Sequence, residues 1–466
     1  MYLTKFTIEN IKCFGHAEFD FQHPNGEIKR WNVILGENGT GKSTLLQAIG
    51  MALMGTEPAT RLGRVDNWVR GGVQQGRISA EVVSGTGDRL VGQGRARRAV
   101  QHAEYAVTGT ASVEVQGIIY DQPTLVYAGT KKQVNSLKRG LLSQKAPGWF
   151  AAGYGPFRRL RGGSVDATRL LYPGQKEARF VTLFREDAAL DDLDEWLKRL
   201  EHTSRDGGEN GQRARQMKQL IQQVLDRLLP SGVELDHFGV DGITFRTPYR
   251  TPTAMVDLSD GYRSMLALAT DLLRRLYEAF ERPEDWIDAE GKITTEGVVL
   301  IDEIDAHLHP VWQRQIGFWL SEQFPNLQFI VSTHSPFVPQ AADDFGVWIL
   351  NTDRLDPSRV TAYQDQQSVK GWRADQILTV LFNLSDLRDP ETETMMRRHA
   401  ALQARQASGQ LTLQEGNELA VISRWLDENL PPPGDNASEM AFYSEVRDQV
   451  EAFLREHGND PYNASS

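Results

Sequence analysis

The segment Gly36-Glu37-Asn38-Gly39-Thr40-Gly41-Lys42-Ser43 sets two glycines four residues apart and follows them with a lysine and a hydroxyl residue. Glycines let a backbone curl until its N–H groups converge on an anion, and a helix that begins there adds the positive end of its dipole. The pattern therefore reads as a phosphate cradle. Gly36, Asn38, Gly39, Gly41, Lys42, Ser43 and Thr44 are its expected nucleotide contacts. Lys42 is expected at the β and γ phosphates, and the Ser43 hydroxyl at Mg²⁺, which takes hard oxygen ligands. A glycine-rich turn with no ligand is the plainer alternative.

A second candidate is Val298-Val299-Leu300-Ile301-Asp302-Glu303, an apolar run that ends in two carboxylates. Acids at the end of a buried strand need a cation or a proton to transfer. Asp302 suits Mg²⁺ through water, and Glu303 suits the base that orients and deprotonates an attacking water. A strand ending in a solvated turn is the alternative. A third candidate is Leu258-Ser259-Asp260-Gly261-Tyr262, where Ser259 and Gly261 open a helix and make an anion site with no lysine of its own. An ordinary helix cap is the alternative there.

These groups need elements to hold them. Residues 2 to 9 alternate as a strand, Trp31 to Leu35 reads as a buried strand, and Lys42 to Met54 has helical periodicity, which makes a strand–loop–helix unit. Short alternations in residues 77 to 130 suggest an antiparallel β subdomain. Residues 185 to 229 read as helical with a polar hinge at 205 to 211, and a long helix is expected from about Gly261 to Phe280. Buried strands at 297 to 301 and 328 to 332 then alternate with a helix, which implies a mostly parallel sheet with helices on both faces. The stretch beyond about Trp372 is expected to be helical, broken at 431 to 434, with a disordered tail.

The order of these motifs, continued by Ser332-Thr333-His334-Ser335-Pro336, resembles ABC-type P-loop ATPases of the RecF-like and SMC-like branch. The resemblance implies an α/β fold: an ABC-ATPase head with a mixed sheet, an antiparallel β subdomain, a helical lobe and C-terminal helices. It implies ATP and Mg²⁺ as ligands. It places Ser259 and Gly261 in a signature motif that contacts the γ-phosphate held by an opposite subunit, so that two copies join head to tail. His334 takes the position of the switch histidine, which senses the γ-phosphate and joins Glu303 as a catalytic residue. Asp305 to Pro310 falls where the family's dimer-contact loop sits, and its His307-x-His309 is expected not to hold a metal. Asp260 replaces a glycine of the common motif, which brings a carboxylate near phosphate unless it points away. Tyr154-Gly155-Pro156-Phe157-Arg158 resembles a segment of the same branch, although no glutamine occupies it. The opening residues 6 to 14 resemble the first strand of RecF-like heads, with Lys12 near the nucleotide. Residues 371 to 384 look like PtuA-type ATPases of bacterial anti-phage systems.

Composition narrows the rest. The 466 residues carry a net charge of −11, which speaks against a chain that coats nucleic acid over its whole surface. The local basic clusters are Arg95, Arg97 and Arg98; Lys131, Lys132, Lys138 and Arg139; and Arg158, Arg159 and Arg161. The single cysteine, Cys13, is expected to be a small buried apolar residue. With no long apolar run and no leader at Met1 to Phe6, the expected location is the cytoplasm, away from membranes. The expected organisation is residues 1–150 for the phosphate loop and β subdomain and 151–257 for a helical lobe. Residues 258–350 would hold the remaining head motifs, and 351–466 a helical partner-binding region anchored by Trp372, Leu378, Leu381, Phe382 and Trp425. The expected function is an ATP-binding, slowly hydrolysing switch in an anti-phage complex. It would dimerise around MgATP or form a higher oligomer, and control a nuclease or toxin encoded nearby. DNA is a further candidate ligand, and a RecF-like DNA repair ATPase is the alternative. A transporter subunit and a self-contained nuclease fit less well, because the head is long and no Asp-x-Asp cluster follows it.

Overall fold

Along Trp31–Gly36, side chains alternate between two cores: Val33 and Leu35 join one, Ile34 the other. The same split divides Val299 and Ile301 from Val298 and Leu300, and Phe329 and Val331 from Ile330. Strands buried on both faces in this way lie inside a covered sheet. The computed structural model describes residues 1–430 except 63–66, 92, 96–99, 116–117, 144–145, 147, 159–161, 165, 168–169, 171–175, 191, 230–232, 240–241, 247–251, 281–284, 289–291, 354–355 and 385–386. Arg97, Arg98, Arg159, Arg161, the break at 431 to 434 and the tail thus lie outside the described residues.

The large sheet has eleven strands. Numbered within it in chain order, they are β1 (Tyr2–Ile11), β2 (Phe14–Asp20), β3 (Trp31–Gly36), β4 (Gln75–Val83), β5 (Val100–Val115), β6 (Ile118–Tyr127), β7 (Ala151–Tyr154), β8 (Gly297–Ile301), β9 (Leu327–Ser332), β10 (Val347–Thr352) and β11 (Val360–Gln364). Their spatial order is β6-β5-β4-β1-β2-β11-β10-β3-β9-β8-β7. From β10 to β7 every pairing is parallel. The remaining neighbours pair antiparallel apart from β11 with β2. The expectation of a mostly parallel sheet therefore holds for one half only, and the antiparallel strands extend the same sheet.

Helices cover both faces. Lys42–Met54 packs Leu45, Leu46, Ile49 and Leu53 into one core, and Asp260–Ala279 packs Leu266, Leu272, Leu273 and Leu276 into the other. Helices Asp192–Ser204 and Gly208–Leu228 join the second core through Trp196, Leu197, Ile221 and Leu225. A three-stranded sheet of Glu234–Gly239, Gly242–Arg246 and Pro252–Ala254 follows.

The chain forms two compact units, Met1–Asn383 and Leu384–Ser466. Because β10 and β11 complete the large sheet, the head runs past the expected boundary at residue 350. Trp372, Leu381 and Phe382 pack into the large core, and Trp425 packs on the small core of Leu402, Leu419, Ile422 and Leu426. Four of the five expected partner anchors are thus occupied within their own units. The second unit's described part is a helical hairpin, Pro390–Ala407 and Leu413–Asn429. Its ends are fixed locally, since Asp389 accepts the N–H groups of Glu391 and Thr392, and Thr412 forms a capping box with Glu415.

Gln328 on β9 is fully buried, and its amide accepts the Leu3 N–H at 2.8 Å and donates to the Leu3 carbonyl at 2.9 Å. It supplies a backbone partner where β1 has an irregular register between Leu3 and Lys5. Gln328→Leu would leave both groups unpaired and is expected to cost roughly 2–4 kcal/mol, read from chemical denaturation, with MgATP affinity little changed.

Candidate functional site

Adjacent parallel strands bring their carboxyl ends to one edge, where open α/β sheets bind ligands. The phosphate loop follows β3, Ser332-Thr333-His334 closes and leaves β9, Asp302 and Glu303 follow β8, and Gly155 to Arg158 follow β7. Segments far apart in sequence therefore meet at one rim.

The phosphate loop has a conformation that demands glycine. Gly39 and Gly41 have φ of +84° and +89°, and a Cβ added at Gly41 would sit 2.5 Å from the Cys13 sulfur. Cys13 is half-buried and abuts the loop, its sulfur 3.7 Å from the Thr40 carbonyl. The Lys42 Nζ donates to the carbonyls of Gly36 at 2.8 Å and Glu37 at 2.9 Å. Burial lowers the Lys42 pKa, while the charges of Asp302, Glu303 and Asp305 pull it back up. The expected base and metal carboxylates thus act electrostatically on the expected phosphate lysine. Ser43 and Thr44 lie in the first turn of the helix, Ser43 exposed and Thr44 buried. Ser43 and Asp302 are hard oxygen donors of the kind Mg²⁺ takes.

Asp302 is buried, and its carboxylate accepts the Ser332 hydroxyl. The same Ser332 oxygen accepts the Glu303 N–H at 2.8 Å. Glu303 has φ of +46°, which is uncommon outside glycine and turns the chain sharply just after the strand. Asp305 reaches the neighbouring loop: its Oδ1 accepts the Thr333 hydroxyl at 2.6 Å and the His334 N–H at 3.3 Å. His334 itself is exposed.

Ser259 is the exposed N-cap of Asp260–Ala279, and its side chain makes no capping hydrogen bond. Asp260 forms an ion pair with Arg263 on the next turn. Its carboxylate is thus engaged by a cation of its own helix. Gly261 is held close to the segment Asp305 to Pro310, because a Cβ there would lie 2.8 Å from the His307 carbonyl oxygen. Lys12 lies over the Trp68 ring at 4.7 Å.

Residues 158–338 match the family described as "AAA domain, putative AbiEii toxin, Type IV TA system", and residues 5–227 match an AAA domain family. Together the two matches run from residue 5 to residue 338 and take in the phosphate loop, the carboxylate pair and His334. The chain is 27% identical over 384 residues to the Septu protein PtuA of Bacillus mycoides (strain KBAB4), covering 82% of this chain and 44% of that one. It is 36% identical over 138 residues to the "Retron Ec83 probable ATPase" of Escherichia coli, covering 30% and 23%. It therefore spans less than half the length of these relatives. A solved SMC head bound to the C-winged helix domain of ScpA is similar with a TM-score of 0.48 at 15% identity, covering 78% of this chain and 98% of that one. The SMC head domain from Thermotoga maritima gives 0.41 at 16%, covering 79% and 100%. At these scores the fold rests on the strand order above rather than on the likeness. Among the described residues no helix is long and apolar enough to cross a membrane, and no group of three or more His, Cys, Asp or Glu is placed to hold a metal ion.

The basic-cluster reading of Arg158 needs correction. Its side chain is buried among backbone carbonyls of the carboxylate loop rather than presented on a surface. Lys131, Lys132, Lys138 and Arg139 do lie exposed on the helix Lys131–Arg139. Two residues that sequence reasoning passed over are Ser332, which links the Asp302 carboxylate to the Glu303 N–H, and Tyr154, whose hydroxyl donates to the buried Asp271 of the helix Asp260–Ala279 at 3.0 Å. The buried polar endings of β7 and β9 were the available signal.

Ser332→Ala would release the Asp302 carboxylate and the Glu303 N–H together. Steady-state ATP hydrolysis is expected to fall about 10–100-fold, as for second partners of metal-binding carboxylates, with the protein still folded by thermal melting.

Proposed function

We propose that this chain is the ATP switch of a two-component anti-phage device, in which heads join head to tail around MgATP and control a nuclease or toxin. What carries the reading is the gathering at one sheet edge of the phosphate loop, the carboxylate pair and the His334 loop, in a chain matching a Septu PtuA over most of its own length. In this reading Gly36, Asn38, Gly39, Gly41, Lys42, Ser43 and Thr44 bind the nucleotide, and Ser43 and Asp302 hold Mg²⁺. The metal would neutralise charge developing on the phosphates. Glu303 takes the proton of the attacking water, and His334, exposed beside Asp305, contacts the γ-phosphate.

Ser259 and Gly261 then serve the phosphate of the opposite head. Support comes from the outward-facing Ser259 cap and the diversion of Asp260 to Arg263. A helix end with no lysine is weak alone and strong when it completes a charged site. ATP would favour one assembly state, and its hydrolysis or a phage signal the other, through differential binding. The helical hairpin of the second unit exposes Leu413 and Val421, which offers a partner apolar contact.

Lys42→Ala is expected to abolish MgATP binding, and Glu303→Gln to bind MgATP without turnover. A mixture of Lys42→Ala and Ser259→Arg chains should regain hydrolysis, because one heterodimer site keeps both halves. No gain in a mixture whose heterodimers are verified by native mass spectrometry would reject the shared site. Phage protection by this chain without its neighbouring gene would reject the control role.

A further inference from the structure

Arg158 is 4% exposed and follows β7 in the Tyr154-Gly155-Pro156-Phe157-Arg158 turn. Burying a guanidinium is costly unless its donors are met, and it has five N–H groups in a fixed fork. Here five acceptors meet them. Nη1 donates to the carbonyls of Gly155 at 3.0 Å and Asp302 at 3.1 Å, and Nη2 to those of Glu303 at 3.2 Å and Ile304 at 3.3 Å. Nε donates to the hydroxyl of Ser264 at 3.1 Å. Burial lowers its pKa to about 10, against the pull of Asp305, Asp302 and Glu303, so the group stays cationic at neutral pH.

Three of these acceptors are consecutive carbonyls of the loop that carries Asp302 and Glu303, including the left-handed Glu303 itself. The fifth lies one turn inside the helix that Ser259 opens, and Ser264 is itself buried. One rigid planar group therefore spans from the signature helix to the backbone of the carboxylate loop. Gly261 and the His307 carbonyl make a second contact between the same helix and the end of the same loop.

We propose that Arg158 is the positioning residue that couples the signature helix to the catalytic loop: a shift of Asp260–Ala279 on engaging an opposite nucleotide moves Ser264, and through Arg158 the carbonyls of Asp302, Glu303 and Ile304. The proposal rests on the ATPase reading above. Arg158 touches no reacting atom; it sets where Glu303 stands.

The test uses the full chain and MgATP, with Ser264→Ala, Ser264→Thr, Arg158→Lys and Glu303→Gln measured in parallel. Ser264→Ala removes one of five bonds and leaves the carbonyl clamp. Its kcat is expected to drop about tenfold with KM for MgATP and melting temperature unchanged, and Ser264→Thr, which keeps the hydroxyl, should restore it. Arg158→Lys offers three donors on a flexible stem and cannot match the fork, so its kcat should fall further while MgATP binding persists. Wild-type kcat in Ser264→Ala, or a loss carried by KM or by melting temperature and not rescued by threonine, overturns the coupling. If Arg158→Lys does not fold, the serine pair decides. Equal turnover by wild type and Glu303→Gln would instead bring down the ATPase reading, and the coupling with it.

Discussion

Three carboxylates within four residues, Asp302, Glu303 and Asp305, stand at the end of a fully buried strand, and the site depends on balancing their charge. Removing an isolated carboxylate from water costs several kcal/mol, so nearby cations or donors are obligatory. Lys42 and Arg158 are the buried cations on which these three acids act. Neither is consumed by a direct ion pair with them. Lys42 binds carbonyls of its own loop, and Arg158 binds carbonyls of the carboxylate loop. Both cations therefore stabilise the acids through space, without a direct bond to their carboxylate oxygens. Asp302 and Asp305 instead take hydroxyl donors from β9 and its loop, which fixes their direction without neutralising them.

What could be read from the chain alone was what local chemistry decides. The phosphate loop and the Lys42–Met54 helix follow from turn glycines and an apolar period, and the strands at 31, 297 and 327 from unbroken apolar runs bounded by turn residues. The start of the helix after Ser259 was legible from residue types that favour a helix end, although the Ser259 side chain makes no capping hydrogen bond. What long-range partners decide was not legible. Arg158 sits in a basic run and looks solvated, yet carbonyls brought in from β8 bury it. Trp372, Leu381 and Phe382 look like anchors for something, and apolar character cannot say that the something is this chain's own core. The short β11 alternation carried too little period to announce that the large sheet continues past residue 350.

The helix Asp260–Ala279 sets an apolar side and a buried polar network next to each other. Its apolar side enters the core through Leu266, Leu272, Leu273 and Leu276, while Asp271, Arg274 and Arg275 are buried beside them. Asp271 takes the Tyr154 hydroxyl and pairs with Arg275, and Arg274 pairs with Glu278. Such a buried polar network is a weak source of net stability but a strong constraint on register, since any slide of the helix breaks several bonds at once. Tyr154 ends β7, and its carbonyl accepts the Asp302 N–H at 2.8 Å. The helix is therefore fixed along its length to the strand that also holds the carboxylate loop.

That rigidity frames two strained residues of this loop. Glu303 and His307 adopt φ of +46° and +66°, each costing of order 1–3 kcal/mol for a side chain other than glycine. Such conformations persist only where neighbours over-determine them. Around Glu303 the neighbours are the Ser332 oxygen on its N–H and Arg158 on its carbonyl; around His307, the bare Gly261 packed against its carbonyl. Much of what holds the strain thus comes from β9, from the turn after β7 and from the helix Asp260–Ala279, beside the loop's own bonds from the Ala306 N–H to the Glu303 carbonyl at 2.9 Å and from the Leu308 N–H to the Asp305 carbonyl at 3.0 Å. A loop tied this closely to its surroundings will follow them when they move. In the proposed switch that property falls on Glu303, and the helix and sheet on either side are the elements whose shift the loop would follow.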